Sequence, residues 1–343
     1  MGNRVYQIDV LKVMAIFFVI SVHFLLNTGF YDIDIQSFSA SLGIILRLIF
    51  ITSVPLFIIA TGFLMGTKKL SDKYIAKIFR VIILYVLVSM IDWLTQTLVF
   101  QNDLSMKDAL LGLLDFSTDS YSWYVEMYIG LYLLIPLLNA AWHYDLSKQY
   151  HIYIIMVSTI LFFLPSLFNG LGKILPDWWT NAYPIGYYYV GLYFKTYLEE
   201  IKKISTKRLL IWSVSIFGMI SFLSLIDNYG RIFAWTDAND YMGYQPFLVA
   251  ILISLLILKK DQPKKTTKFH NLLILLSNMT LTIYLFSDLT DSLIYHYFNR
   301  LVPNIASRFA WAPVVVLLSF TLASLLAYIL EKMMSLIYQR RRA

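Results

Sequence analysis

Apolar runs of about twenty residues recur along the whole chain, each long enough at ~1.5 Å of helical rise per residue to cross a bilayer core of ~30 Å. Ten such runs, at 5–26, 42–66, 75–100, 123–142, 151–169, 182–198, 208–227, 244–260, 271–298 and 310–337, predict ten transmembrane helices. The runs are continuous and lack the strict alternation of a lipid-facing strand, so a helix bundle is predicted and a barrel is not. Run 123–142 contains Gly130 and Pro136 and is expected to be kinked, short or partly re-entrant. Trp178 and Trp179 are expected to anchor a helix end at the interface. No internal repeat is visible, and no loop is long enough for a soluble domain.

The connections sort by charge. Stretches 68–77, 199–208, 259–268 and the tail QRRRA are basic, whereas 31–37, 101–108, 115–120 and 227–240 are acidic or neutral. Because basic loops stay in the cytoplasm, this alternation predicts cytoplasmic termini and an even number of spans. Composition agrees with an all-α polytopic membrane protein: 59% of residues are apolar and 14% charged. The net charge of +7 is accounted for by the basic loops, so nucleic-acid binding is not expected. Absence of cysteine excludes disulfides, a thiol nucleophile and Cys-ligated metals. Two charges interrupt the first apolar run and no small-residue cleavage site follows it, so it is expected to remain as a span.

That first run holds Asp9, Lys12 and His23, ionisable groups at a depth where lipid tolerates few. Lys12 and His23 lie within roughly 20° of one helical face and about 16 Å apart along the axis, with Asp9 one turn before Lys12. Topology assigns Asp9 and Lys12 to the cytoplasmic half, together with Lys73, Lys77 and Arg80 at the entry of the third span. It assigns His23, Arg47, Asp92 and Glu126 to the outer half. The first group suits an anionic ligand arriving from the cytoplasm, and the second suits proton handling by a carboxylate-oriented histidine. Plainer readings stand beside these: Lys12 neutralising Asp9, the third-span cations serving topology alone, His23 a satisfied buried histidine, and Arg47, Asp92 and Glu126 forming one structural ion-pair network. A transporter with buried charges along a permeation path is the rival functional class, and it would favour repeats and paired broken helices. There is no HExxH, P-loop, GxGxxG or GxSxG motif, and no metal site is expected. His143 and His151 read as loop residues.

Several segments together resemble the acyltransferase-3 family of membrane-bound O-acyltransferases acting on bacterial surface glycans. DVLKVMAIFFVISVH is similar to that family's D-x-L-R-x10-H opening, with Asp9, Lys12 and His23 at the matching positions. PLFIIATGFLMG resembles its P-x-F-x4-SGF segment, with Thr61 at the small hydroxyl position, and SWYVEMYIGLYLLIPLL resembles its W-F/Y segment, with Trp123 and Glu126. SNMTLTIYLFSDL resembles a late segment in which a second His is common and in which Ser287 stands here. Lys12 replaces the usual Arg, keeping the charge without the bidentate fork.

The resemblance implies transfer of an acyl group from a coenzyme A thioester, generally acetyl-CoA, to a hydroxyl of a polymer or lipid-linked glycan across a bacterial cell membrane. On that reading His23 deprotonates the acceptor hydroxyl or takes part in an acyl relay, and is tuned by Asp92 or Glu126. Lys12, Lys77 and Arg80 hold the donor, and Asp9, Arg47, Thr61 and Trp123 support the substrates. No appended esterase-type domain is expected, so the bundle itself or a separate envelope-assembly partner completes the transfer.

Overall fold

The computed structural model describes residues 4–103, 105–263 and 267–340, and its secondary structure there is helical, with one isolated bridge between Ile35 and Tyr229. Lys264 and Lys265 of the basic stretch 259–268 and the last three residues of the basic tail lie outside the described residues. The principal helices are α1 (Tyr6–Asn27), α2 (Phe38–Phe50), α3 (Ser53–Met65), α4 (Ile78–Leu98), α5 (Met106–Leu114), α6 (Trp123–Trp142) and α7 (Lys148–Phe162). They continue as α8 (Tyr183–Thr196), α9 (Thr206–Asn228), α10 (Tyr244–Leu258), α11 (Lys268–Asn278), α12 (Thr280–Leu301) and α13 (Ala312–Arg340).

All ten apolar runs are helical, but they differ in reach. Seven helical segments are long and apolar enough to cross a membrane, or up to eight if α11 and α12, bent by 74° at their junction, are one broken span. Runs 151–169 and 182–198 yield α7 with 15 residues and α8 with 14, which at ~1.5 Å per residue are shorter than a bilayer core. Run 123–142 is neither short nor re-entrant: α6 continues as one helix for 20 residues through Pro136. The sharp break falls instead at Met279, between α11 and α12.

α1 is largely enclosed, packing on α2, α3, α10, α11, α12 and α13, whereas α9 packs on α2 and α10 and turns most of its surface outward. A buried aromatic and aliphatic core runs from Ile8, Leu11 and Ile16 through Phe63 and Tyr188 to Ile283 and Ala323. The α3–α8 crossing is backbone to backbone. A Cβ on Gly191 would lie 2.1 Å from the Ile59 carbonyl oxygen, and one on Gly62 would lie 2.1 Å from that of Tyr188. Only glycine permits so close an approach, and it keeps α3 seated beside α1.

Two polar sites joined by the first helix

The C-terminal part of α1 presents His23, which is 9% exposed. Its Nδ1 lies 3.1 Å from Asp291 Oδ2, and its ring stacks on Tyr121 with centroids 3.7 Å apart. The Asp291 carboxylate also accepts from Tyr121 Oη at 3.1 Å and Ser319 Oγ at 2.8 Å. Tyr121 Oη in turn accepts from Asn27 Nδ2 at 3.0 Å, one turn beyond His23 on the same helix. Imidazole, phenol and hydroxyl therefore converge on one carboxylate. With Nδ1–H donating to Asp291, Nε2 is left as the acceptor, and it makes no hydrogen bond among the described residues. That is the tautomer a general base requires.

Helix packing explains why Asp291, and neither Asp92 nor Glu126, is the partner. α1 lies against α12 and α13, which carry Asp291 and Ser319, while α4 and α6 approach α1 much less closely. α12 runs parallel to α1, as contacts from Lys12 to Ser277, His23 to Asp291 and Asn27 to Asn299 show. Asp291 is eleven residues after the start of α12 at Thr280, and His23 is eleven after Lys12, so both reach the same depth. Asp92 is buried with Oδ1 unpartnered, and its electrostatic neighbours are Asp288 and Gln96. Glu126 is exposed on α6 and makes no hydrogen bond or ion pair among the described residues.

At the opposite end of α1, Asp9 is paired by Arg4, whose Nε and Nη2 donate at 2.6 and 2.7 Å, and it accepts from Ser277 Oγ at 2.6 Å. Arg4, and not Lys12, thus neutralises Asp9. Lys12 is released to donate to the Ser277 carbonyl, one of the last carbonyls of α11 that the break at Met279 leaves without an intrahelical partner. Beside the ammonium opens a cavity of about 230 Å³ walled by Phe57, Thr61, Tyr124, Tyr128, Thr280 and Tyr284. Thr280 and Leu281, at the start of α12, line it together with Lys12, and a cation beside a helix start favours electron-rich oxygens. Thr61 donates to its own helix at Phe57 O, 2.9 Å away, and lines the cavity.

The remaining candidate residues lie apart from these two sites. Lys77 is exposed at the head of α4. Arg80 donates to Glu331 at 2.7 Å, and the same carboxylate accepts from Thr282 Oγ1 at 2.8 Å; Val81, its neighbour, reaches the Lys12 cavity. Arg47 is 1% exposed, donates to Tyr31 Oη and the Asn239 carbonyl, and lies 4.4 Å from the Phe233 ring centroid and 4.5 Å from that of Trp235. It therefore anchors the segment 231–239 to α2, and no Arg47–Asp92–Glu126 network forms. Trp123 packs against Tyr241, with centroids 5.3 Å apart. His151 is no loop residue: it is buried in α7, stacked on Trp142 at 3.9 Å, with Nδ1 and Nε2 bonded to Tyr197 Oη and the Trp142 carbonyl. His143 caps α6 and bonds back to Asn139 O.

The two sites are connected. Tyr284, in the wall of the Lys12 cavity, donates at 2.7 Å to the backbone carbonyl of Tyr121, the residue stacked on His23. Sequence patterning did not isolate Asp291, Tyr121 or Ser319. The usable signal was a carboxylate at matching depth in another span of the same direction, and Asp291 in run 271–298 supplies it.

No curated protein and no solved structure matches the chain. A family model described as an acyltransferase domain, that of the acyltransferase-3 family, matches residues 5–328, nearly the whole chain. With a multi-pass helix bundle and that match over its length, the chain belongs to the acyltransferase-3 family.

Proposed function

We propose that this membrane acyltransferase moves an acyl group, acetyl in the first instance, from a coenzyme A thioester on the cytoplasmic side to a hydroxyl of a surface or lipid-linked glycan on the other side of a bacterial cell membrane. The observation that carries this reading is the His23–Asp291–Tyr121 constellation on the same helix as the Lys12 cavity. In the reaction, His23 Nε2 takes the acceptor hydroxyl proton, the oxygen attacks the thioester carbonyl, the C–S bond breaks, and the thiolate leaves and is protonated. Asp291 holds the imidazole tautomer and stabilises the imidazolium.

Lys12, beside the head of α12, holds the donor at the phosphate end of its pantetheine arm, and the thioester carbonyl at the other end of the arm reaches His23. Lys77, exposed at the head of α4, and Arg80, paired there with Glu331, contribute positive charge for the nucleotide phosphates. The ~16 Å from Lys12 to His23 is spanned by the flexible pantetheine arm entering past Tyr124 and Tyr284. The test is chemical analysis of the envelope. Mass spectrometry and NMR of surface polymers from cells with and without the intact protein are expected to differ by an O-ester, acetyl on this account. Identical ester content in both would refute the reading.

A further inference from the structure

Between α9 and a floor formed by α1, α2 and α10 lies an open crevice of about 330 Å³, whose wall is apolar apart from Ser213. α9 packs on α2 and α10 but not closely on α1, which leaves the crevice open between them. The start of α9, the end of α10 and the start of α1 meet at one end of the molecule. There Lys259 Nζ donates to the carbonyls of Lys202, at 2.9 Å, and Ile204, and Gln7 Nε2 donates to the Lys260 carbonyl. Along α9 the wall residues Leu210, Val214 and Phe217 keep the three- and four-residue spacing of one helical face, and the preceding member of that series is Lys207. Along α10 Val249, Ile253 and Leu256 do the same, and the next member is Lys260, just past the helix end at Leu258. Both lysines are exposed, and their side chains make no hydrogen bond or ion pair among the described residues. Asp261, next to Lys260 in sequence, is exposed and pairs with neither.

In a membrane such a crevice faces lipid. Left empty, it would forfeit the dispersion contacts of its walls, and a fatty-acyl chain supplies them while asking for no hydrogen bond. The two unpaired ammonium groups at its mouth select further, because basic side chains beside a span attract anionic headgroups. We propose that the crevice binds one anionic phospholipid, with an acyl chain along α9 from Leu210 to Phe217, about 10 Å of helix, and its phosphate at the mouth beside Lys207 and Lys260. This lipid is neither donor nor acceptor, since α9 contributes to neither polar site. Its chain packs on Met14 and Phe18, which lie between Lys12 and His23 in α1, so bound lipid backs the helix that carries both sites.

The test compares two lipids that share their chains and differ in charge. Full-length protein in detergent is incubated with dioleoyl phosphatidylglycerol or dioleoyl phosphatidylcholine, and retained lipid is counted by native mass spectrometry. One phosphatidylglycerol is expected to be held about tenfold more tightly than phosphatidylcholine. Lys207→Gln combined with Lys260→Gln should erase that preference. Val214→Trp should fill the crevice and weaken both lipids, and because Val214 is 71% exposed the lipid-free thermal midpoint should stay that of the wild type. Equal retention of the two lipids by the wild type, a preference that survives loss of both lysines, or phosphatidylglycerol retention unaltered by Val214→Trp overturns the site. None of these readouts involves acyl transfer.

Discussion

His23→Ala is expected to lower acyl transfer by about 10²–10⁴-fold, the range a positioned general base supplies, while the protein inserts and purifies as the wild type does. The imidazole is held by Asp291 and Tyr121 with Nε2 unengaged, so truncation removes the base and leaves the carboxylate its bonds from Tyr121 and Ser319. Donor binding, located some 16 Å away at Lys12, should be untouched. Single-turnover transfer measured beside thermal unfolding in detergent checks this. Loss of activity with an unaltered unfolding midpoint and unaltered donor affinity is the expected outcome, and retained activity removes His23 from the chemistry.

The second large effect belongs to Asp291, a positioning residue acting through His23. In Asp291→Asn an amide replaces the carboxylate and can donate to Nδ1. The imidazole then carries its proton on Nε2, where it cannot accept one from the acceptor. A loss of kcat on the order of 10²–10⁴-fold is expected, with the KM of the acyl-CoA donor unchanged. Asp291→Glu, which keeps the charge on a longer arm, should recover part of kcat. A role confined to packing would instead lower the unfolding midpoint in both variants and show no such recovery.

Much of this architecture was legible in the chain because lipid imposes a simple grammar. All ten apolar runs are helical, and α1 was identified as the polar axis from three charged positions that a bilayer would otherwise exclude. Side-chain partnership was less legible, since it depends on which helices touch. The charge pattern of the loops assigns Asp92 and Glu126 to the same half as His23, yet α4 and α6 do not bring them to it, whereas α12 brings Asp291 from nearly 270 residues away in sequence. Short-range pairing misled in the same way at Asp9. Lys12 lies one helical turn off, but Arg4 folds back from the N-terminal side to take the carboxylate.

The broken helix shows a different limit. Pro136 has the stronger local signal and α6 absorbs it, while the 74° bend falls at Met279, where no proline or glycine marks it. At that bend, Lys12 satisfies the freed Ser277 carbonyl and Thr280 adds a second bond to it at 3.3 Å. One tertiary bond, from Lys12, and one local bond, from Thr280, satisfy the carbonyl at the break, and the Lys12 cavity lies beside it.

The proposed transfer requires that α1 join a donor site at its Lys12 end to an acceptor site at its His23 end, on opposite sides of the membrane. The direct measurement uses proteoliposomes with protein orientation fixed, acetyl-CoA supplied on one side and a glycan acceptor on the other. Ester formation is expected when donor is on the Lys12 side and acceptor on the His23 side, and none when the two are exchanged. Equal transfer with donor and acceptor both confined to a single side would contradict it.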